Sequence, residues 1–253
     1  MAKKHLGQNF LFDPSILARI IEVSGLTADD LVVEVGPGHG RLTKMLAMAA
    51  RQVIAIELDR DLHKALLSEL RDFSNIELIE GDVLEFPFET LDKFKAIANI
   101  PYYITTPIIF RLLETATNLE SMTLTIQKEV AERIVAKPCT KDYGVLSLAV
   151  QYYGEPEIKF LIPKGAFKPT PKVDSAVLNV KKLAVPRVAA KDKKFFFKVV
   201  RTAFAQRRKT LSNSLKPLQK ENLLPVLEAL GIDAKRRPET LTIEEFAMIA
   251  DAL

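Results

Sequence analysis

Residues 31–41 read LVVEVGPGHGR, and this stretch decides the fold of the chain. A mostly apolar strand pattern runs into three alternating glycines, and a helical pattern begins near Arg41. Glycines permit positive φ angles and close approach of a ligand, while the start of the helix supplies free N–H groups. The spacing is not the dinucleotide fingerprint, because Arg41 stands where its third glycine belongs. The loop therefore predicts a nucleoside-type cofactor site rather than a pyrophosphate site.

On both sides of this loop, strand patterns alternate with helical patterns. Asp13-Pro14 predicts the capped start of a first helix, and further helices are predicted to begin near Arg41, Arg60 and Thr106. This alternation predicts an α/β fold with a mostly parallel sheet covered on both faces. The predicted strands are 31–35, 53–58, 76–79, 96–98 and 122–126.

The pattern changes in the second half of the chain. Three strand-like runs, 145–153, 158–162 and 173–180, follow one another with short loops between them, which predicts an antiparallel finish to the sheet. Beyond residue 186 only helical spacing remains, with Phe196 on its apolar stripe. We therefore expect an α/β domain over residues 1–185 and a small helical domain over 186–253.

Composition limits the class of protein. With 253 residues, of which 48% are hydrophobic, the chain can bury a sizeable core. The single cysteine, Cys139, cannot form an internal disulfide, and no signal peptide or bilayer-spanning run is visible, so a cytoplasmic protein without membrane contact is expected. The three histidines lack metal-ligand spacing, so no metal is expected.

Positive charge is concentrated at the C-terminal end. Residues 1–180 contain 20 Lys and Arg against 24 Asp and Glu, whereas residues 181–253 contain 16 against 8. Within 191–220, ten basic residues face only Asp192 and are interleaved with phenylalanines. This density favours binding of a polyanion over a merely solvated helix face.

Acidic residues follow two of the predicted strands. Glu57 lies 21 positions after Gly36, where a carboxylate can accept hydrogen bonds from both hydroxyls of a ribose. Asp82 follows the third strand, where it can meet the edge of an adenine. The carboxyl ends of parallel strands share one rim of a sheet, so both acids are expected beside the glycine loop.

Several motifs together resemble the ribosomal RNA adenine N6,N6-dimethyltransferases, which depend on S-adenosylmethionine and have a Rossmann-like methyltransferase domain. The resemblance runs from about Lys4 to the C-terminus. It rests on residues 7–11, 34–43, Glu57, Asp82, 99–102, 127–131, 167–175 and 201–215.

The resemblance is greatest to bacterial members that modify two adjacent adenosines near the 3′ end of small-subunit (16S) rRNA. It implies a monomer that acts on a partly assembled small ribosomal subunit. It places RNA contacts on Arg201, Arg207, Arg208 and Lys209, but an RNA contact from the short tail with Lys3 and Lys4 is not expected. The implied cofactor contacts are Asn9, Leu11, Gly36, Glu57, Asp82 and Asn99.

Residues 99–102, read as Asn-Ile-Pro-Tyr, suit methyl transfer to an exocyclic amine. The Asn99 carboxamide oxygen and the Ile100 carbonyl can each accept one N6 hydrogen and hold the amine in line. Pro101 stiffens the loop, and Tyr102 can stack on a base taken out of its helix. By resemblance, Phe167 covers the other face of that base. The five residues are the expected catalytic set.

Three other functions remain open from the sequence. The first is the similar erythromycin-resistance group, which modifies one adenosine of large-subunit rRNA. Residues 143–147 and the Arg-Arg-Lys segment at 207–209 favour the small-subunit group instead. The second is a non-catalytic factor of ribosome assembly, against which the intact residues 99–102 argue. The third is a small-molecule methyltransferase, which leaves the basic C-terminal part unexplained.

Overall fold

A computed structural model of the chain describes residues 9–219 and 221–253, which divide into two compact units. The first unit contains 9–131 and 155–182, and the second contains 132–154 and 183–253. The sequence suggested a single division at 185/186, whereas the structure groups residues 132–154 with the C-terminal segment. The Lys3-Lys4 tail and the first two residues of the 7–11 motif lie outside the described residues.

The first unit is built around a sheet that has seven strands among the described residues, in the order β4-β3-β2-β5-β6-β9-β7. A separate two-stranded sheet pairs β1 with β8 in antiparallel fashion. The strands are β1 (Phe10–Leu11), β2 (Leu31–Val35), β3 (Gln52–Glu57), β4 (Ile76–Glu80), β5 (Phe94–Asn99), β6 (Leu119–Gln127), β7 (Gly154–Ile162), β8 (Phe167–Lys168) and β9 (Ser175–Lys182).

Strands β2 to β6 run parallel, which confirms the predicted α/β class. Every residue of β2 is buried, as expected for a central strand covered on both faces. The helices of this part of the chain are α1 (Pro14–Ser24), α2 (Arg41–Ala49), α3 (Arg60–Glu69), α4 (Thr105–Thr115) and α5 (Lys128–Val135), the last of which ends in the second unit.

The start of α1 follows the predicted capping pattern. The Asp13 carboxylate accepts a hydrogen bond from the Ser15 amide at 2.9 Å, and Pro14 is the first helical residue. The helix ends at Gly25, whose φ of 62° lies in the left-handed region. These caps satisfy backbone groups that a helix leaves without internal partners.

The antiparallel finish to the sheet is confirmed for β9, which pairs antiparallel with β6. The strand prediction for 145–153 is wrong, because Val145–Tyr153 forms a helix, α6. Most of its residues are buried, and the Gln151 amide donates to the carbonyls of Ile134 and Ala136 at 2.9 Å each. A helix enclosed on nearly all sides has no polar face, so its sequence lacks the amphipathic period that identifies helices.

The second unit is helical. On α7 the predicted apolar stripe is buried, and the fully buried Phe196 packs against Tyr152 with 5.3 Å between the ring centroids. No helix in the described part of the chain is long and apolar enough to cross a membrane. The helices are α6, α7 (Lys193–Ala205), α8 (Leu211–Leu215), α9 (Leu223–Ala229) and α10 (Ile243–Ala252).

Candidate active site

The predicted site residues converge at the carboxyl ends of the parallel strands. Glu57 is the last residue of β3, Asn99 is the last residue of β5, and Asp82 follows β4 by two positions. Backbone hydrogen bonds continue past the strand ends. The Gly36 amide donates to the backbone carbonyl of Ile56 at 2.9 Å, and the Gly81 amide donates to the backbone carbonyl of Glu57 at 3.0 Å. The rim that carries the site is therefore held by the sheet itself.

The glycine loop after β2 is shaped by close packing. Gly38 has a φ of 58°, and a side chain at this position would place its Cβ 2.8 Å from the Phe10 ring. Gly40 has a φ of 72°, and its Cβ would lie 2.8 Å from Leu66 on α3. Only glycine combines these angles with this lack of space. In this conformation the Gly38 N–H faces Glu57 at the end of the neighbouring strand β3.

Glu57 connects that loop to the rim. One carboxylate oxygen accepts the Gly38 amide at 3.2 Å, and the other accepts the Asp59 amide at 2.9 Å. Burial raises the pKa of Glu57, because only 5% of the residue is exposed. Each carboxylate oxygen has a second lone pair, so the group can still accept further hydrogen bonds.

A cavity that opens to solvent lies against these residues. Its walls are mostly apolar, and the Glu57 and Asp82 side chains supply polar groups in its lining. The combination of an apolar slot with two acceptors fits an adenosine moiety, whose ring is flat and whose hydroxyls and amine donate. The lining consists of Val35, Gly36, Ile56, Glu57, Leu58, Gly81, Asp82, Val83, Pro101, Tyr103, Ile104 and Ile108.

Asn99 is oriented by the segment that precedes β1. Its Nδ2 donates to the Asn9 carbonyl at 2.9 Å. A carbonyl can only accept, so the atom that faces Asn9 must be the amide nitrogen, and the Oδ1 acceptor points away from it. Asn9, Phe10, Gly36, Glu57, Asn99 and Tyr102 line one shared cavity.

The next three residues hold the loop in place. The Ile100 amide donates to the Thr125 carbonyl at 3.2 Å, and the Ile100 residue is almost fully buried. Pro101 has a φ of −57° and lines the cavity on the adenosine side as well as the cavity next to Asn99. The Tyr102 hydroxyl lies 2.6 Å from the hydroxyl of Ser175, which is fully buried at the start of β9. This hydrogen bond fixes the orientation of a half-buried aromatic ring.

Phe167 lies elsewhere than its predicted role requires. Its exposure is 0%, and it belongs to the hydrophobic core cluster that contains Leu11, Leu17 and Phe160. It also pairs with Leu11 across the β1–β8 sheet. Such a ring supports the strand that carries Phe10, and in this conformation it presents no face to a base. Phe167 is not among the residues that line the cavity shared by Asn99 and Tyr102.

Two further site residues were not singled out from the sequence. Tyr103 is 54% exposed and lines the cavity beside Asp82. It directly follows the 99–102 motif, and no feature of the sequence distinguished it as a site residue. Glu34 on β2 is 2% exposed, and its Oε2 has no hydrogen-bond partner among the described residues. Burial, reinforced by the negative charge of Glu57, raises the pKa of Glu34 to about 8. An acidic residue in an otherwise apolar strand was the available signal for it.

The predicted RNA-contacting residues lie in the second unit. Arg201 is on α7, and residues 207–209 form the turn after α7. All four side chains are exposed. Arg207 also donates to the Lys141 carbonyl at 2.9 Å and lies over the Phe204 ring at 5.9 Å, so part of its role is structural. In the described part of the chain, no group of three or more His, Cys, Asp or Glu is arranged to hold a metal ion.

Comparison with known proteins gives the family. The whole chain, residues 1–253, matches the family model described as Ribosomal RNA adenine dimethylase. The chain is 50% identical over 256 residues to the Ribosomal RNA small subunit methyltransferase A of Clostridium botulinum (strain Kyoto / Type A2), covering 99% of this chain and 93% of that protein. The protein of the same name from Clostridium acetobutylicum is 47% identical with the same coverage.

Solved structures agree with this result. A dimethyladenosine transferase from Plasmodium falciparum superposes with a TM-score of 0.84 at 27% identity, covering 95% of both chains. The 23S rRNA methyltransferase ErmE superposes with a TM-score of 0.76 at 31% identity, covering 97% of this chain and 99% of that chain. The full-length match and relatives near 50% identity establish that this chain belongs to the ribosomal RNA adenine dimethylase family.

Proposed function

We propose that this methyltransferase transfers methyl groups from S-adenosylmethionine to N6 of two adjacent adenosines near the 3′ end of small-subunit rRNA. The family description supports an adenine target, and the names of the clostridial relatives support the small subunit. The proposed substrate is rRNA in a partly assembled small subunit, and the protein acts as a cytoplasmic monomer without a metal.

The cavity beside Glu57 and Asp82 is the proposed cofactor site. Bound S-adenosylmethionine supplies a methyl group that its positively charged sulfur makes electrophilic. Glu57 accepts hydrogen bonds from the ribose hydroxyls, and Asp82 accepts one from the adenine amine. Gly36 lets the cofactor approach the backbone closely, and Asn9 and Leu11 contact the part of it nearest to Asn99.

The orientation of Asn99 is the observation that carries the catalytic proposal. The exocyclic N6 of adenine is a poor nucleophile, because its lone pair is delocalised into the ring. The Asn99 amide is held by the Asn9 carbonyl, which leaves Oδ1 as an acceptor for one N6 hydrogen. Together with the Ile100 carbonyl, this acceptor holds the amine in the direction of attack and favours its pyramidal form. No strong base is required.

The remaining residues of the loop seat the target base. Tyr102 provides a ring whose angle is fixed through Ser175, and such a ring can stack on a base that has left its helix. Pro101 restricts the backbone between the two hydrogen-bonding residues and the ring. We assign Phe167 a supporting role in the core beneath the β1–β8 sheet, and no stacking on the target base.

RNA is held in part by the basic C-terminal segment. The proposed division of labour gives cofactor binding and catalysis to residues 1–185 and RNA binding to 186–253. The exposed Arg201, Arg208 and Lys209 carry the phosphate contacts, and Arg207 adds to them while anchoring its own turn.

A second candidate is a 23S rRNA methyltransferase of the erythromycin-resistance type. The observation in its favour is the close superposition on ErmE over almost the entire chain. The higher identity to the small-subunit relatives favours the first candidate.

Mass spectrometry of both rRNAs from a strain that lacks the gene separates the two candidates. Loss of dimethyladenosine from the small-subunit rRNA, restored by the wild-type gene and not by an Asn99→Ala gene, is the expected result. Loss confined to the large-subunit rRNA would establish the second candidate instead.

A further inference from the structure

A groove next to the glycine loop has no role in the function proposed above. Its lining includes Phe12, His39, Arg41, Lys44, Met45 and Leu66, and we refer to it as the Arg41 groove. It has room for about 690 Å³. Pockets for small molecules usually have about 300–1,000 Å³, so the groove is large enough to take a ligand of nucleotide size.

A row of neighbouring aromatic and guanidinium groups connects this groove to the active site. Phe10, which lines the cavity next to Asn99, lies 4.4 Å from His39 between ring centroids. His39 lies 6.2 Å from Phe12, and the Arg41 guanidinium is 4.7 Å from the centre of the Phe12 ring. A third cavity is lined by residues of the Arg41 groove and by residues of the cavity next to Asn99, including Arg41 and Asn99 themselves.

The charges of the groove favour an anion beside Arg41. Lys44 is paired with Glu69 at 2.9 Å, so these two charges compensate each other. Arg41 forms no hydrogen bond or ion pair with any of the described residues, and its side chain is exposed. A guanidinium that already lies on an aromatic ring loses little freedom when it binds a phosphate.

We propose that the Arg41 groove binds the RNA strand next to the target adenosine, with Arg41 on a phosphate and the rings of Phe12 and His39 beside a base. Single-stranded RNA is recognised in this way, by aromatic and guanidinium planes that stack on bases and by cations that contact the backbone. The inference rests on the proposed function, because it requires an RNA substrate whose target base has been turned out.

The test compares full-length variants in binding to small-subunit particles from a strain that lacks the gene, at several salt concentrations. Arg41→Gln is expected to weaken binding about 5-fold to 10-fold and to flatten the log–log salt dependence by about 0.7, the value for one phosphate contact on a single strand. Phe12→Ala is expected to weaken binding about 5-fold to 100-fold without changing the slope, because stacking is removed rather than charge.

The matched control is Arg19→Gln. Arg19 is also exposed and also lies over a phenylalanine ring, that of Phe160 at 4.2 Å. Removing its charge should leave binding as in the wild type. Affinity for S-adenosylhomocysteine, measured by calorimetry, should stay unchanged in Arg41→Gln.

Two results would overturn the inference. One is a salt dependence of Arg41→Gln that coincides with that of Arg19→Gln. The other is a loss of S-adenosylhomocysteine affinity in Arg41→Gln, which would assign the guanidinium to the cofactor's carboxylate. Failure of the wild type to prefer small-subunit particles over large ones would instead contradict the proposed function.

Discussion

Two carboxyl groups on neighbouring strands show how the surroundings of a single residue determine its chemistry. Glu57 receives two backbone N–H groups, whereas Oε2 of Glu34 receives none from the described residues. Glu34 is also the more deeply buried of the two. A carboxyl that is this deeply buried and has one oxygen without a donor is more stable when it is protonated, so Glu34 acts as a neutral polar group at neutral pH.

This difference predicts a pH-dependent effect of Glu34→Gln. The pKa of Glu34 is about 8 in the folded chain and has its ordinary value of 4.5 when unfolded. Between these values the folded state binds a proton that the unfolded state lacks, so the wild type loses stability as the pH rises. Glutamine has no such proton. The variant should therefore gain about 2–5 kcal/mol of stability relative to the wild type between pH 5 and pH 9, measured by urea unfolding. An offset independent of pH would contradict the prediction.

At the proposed cofactor site, Glu57→Ala should weaken binding of S-adenosylhomocysteine. Hydrogen bonds to a charged acceptor contribute about 1.5–3 kcal/mol each, and two are expected from the ribose. Glu57→Gln keeps one acceptor and should lose less affinity. Titration calorimetry measures both, and thermal unfolding of the unliganded variants controls for removal of the hydrogen bond to Gly38. Unchanged affinity in a folded Glu57→Ala protein would remove this residue from the site.

For Asn99, a pair of variants separates the acceptor from its anchor. Asn99→Ala removes both and should slow methyl transfer about 100-fold to 1,000-fold in single turnover. Asn99→Asp keeps an acceptor but cannot donate to the Asn9 carbonyl, so it should also be slow. Both variants should bind rRNA particles normally. Wild-type turnover in Asn99→Asp would show that the hydrogen bond to Asn9 does not orient the group.

At the scale of elements, the sequence predicted those strands and helix starts that leave a pattern in a few consecutive residues. The strand 31–35 and the helix starts at Arg41 and Arg60 match the structure, because burial on both faces, glycines and helix-capping residues all leave a local pattern. Helix α6 could not be recognised, since burial on nearly all sides removes the periodic polar face. Phe167 and Ser175 both belong to the 167–175 motif. Only their packing shows that Phe167 is a core residue and that Ser175 forms a hydrogen bond with Tyr102.

Two glycines with positive φ, Gly25 at the end of α1 and Gly38 in the glycine loop, allow backbone strain to be separated from steric conflict. Gly25 and Gly38 both have positive φ, but a side chain at Gly25 has no described atom within 4 Å, whereas one at Gly38 meets the Phe10 ring at 2.8 Å. Gly25→Ala should therefore cost about 1–2 kcal/mol of stability, from the left-handed conformation alone. Gly38→Ala should cost more, and denaturant unfolding of both variants gives the difference. Equal losses of stability would show that Phe10 moves away freely.

The whole molecule is electrostatically uneven. Its first 180 residues are net acidic, and residues 181–253 are net basic, with 16 Lys and Arg against 8 Asp and Glu. A substrate that carries one negative charge per nucleotide is steered by such an asymmetry. The catalytic rim has acidic groups, which suit the donors of a nucleoside. The basic segment suits a phosphate backbone.

That asymmetry predicts which residues make rRNA binding sensitive to salt. Changing Arg207, Arg208 and Lys209 to Gln should weaken binding to small-subunit particles, because a short basic run binds phosphates and does not read base edges. The log–log salt slope should fall by about 0.7–0.9 for each phosphate that is no longer neutralised. Arg207 also holds the Lys141 carbonyl, so the Arg208/Lys209 double variant isolates the charge effect from the removal of that anchor. Cofactor affinity should be unchanged in both variants. Salt plots parallel to the wild type would mean that this turn is only solvated, and the phosphates would then have to be bound by other basic residues.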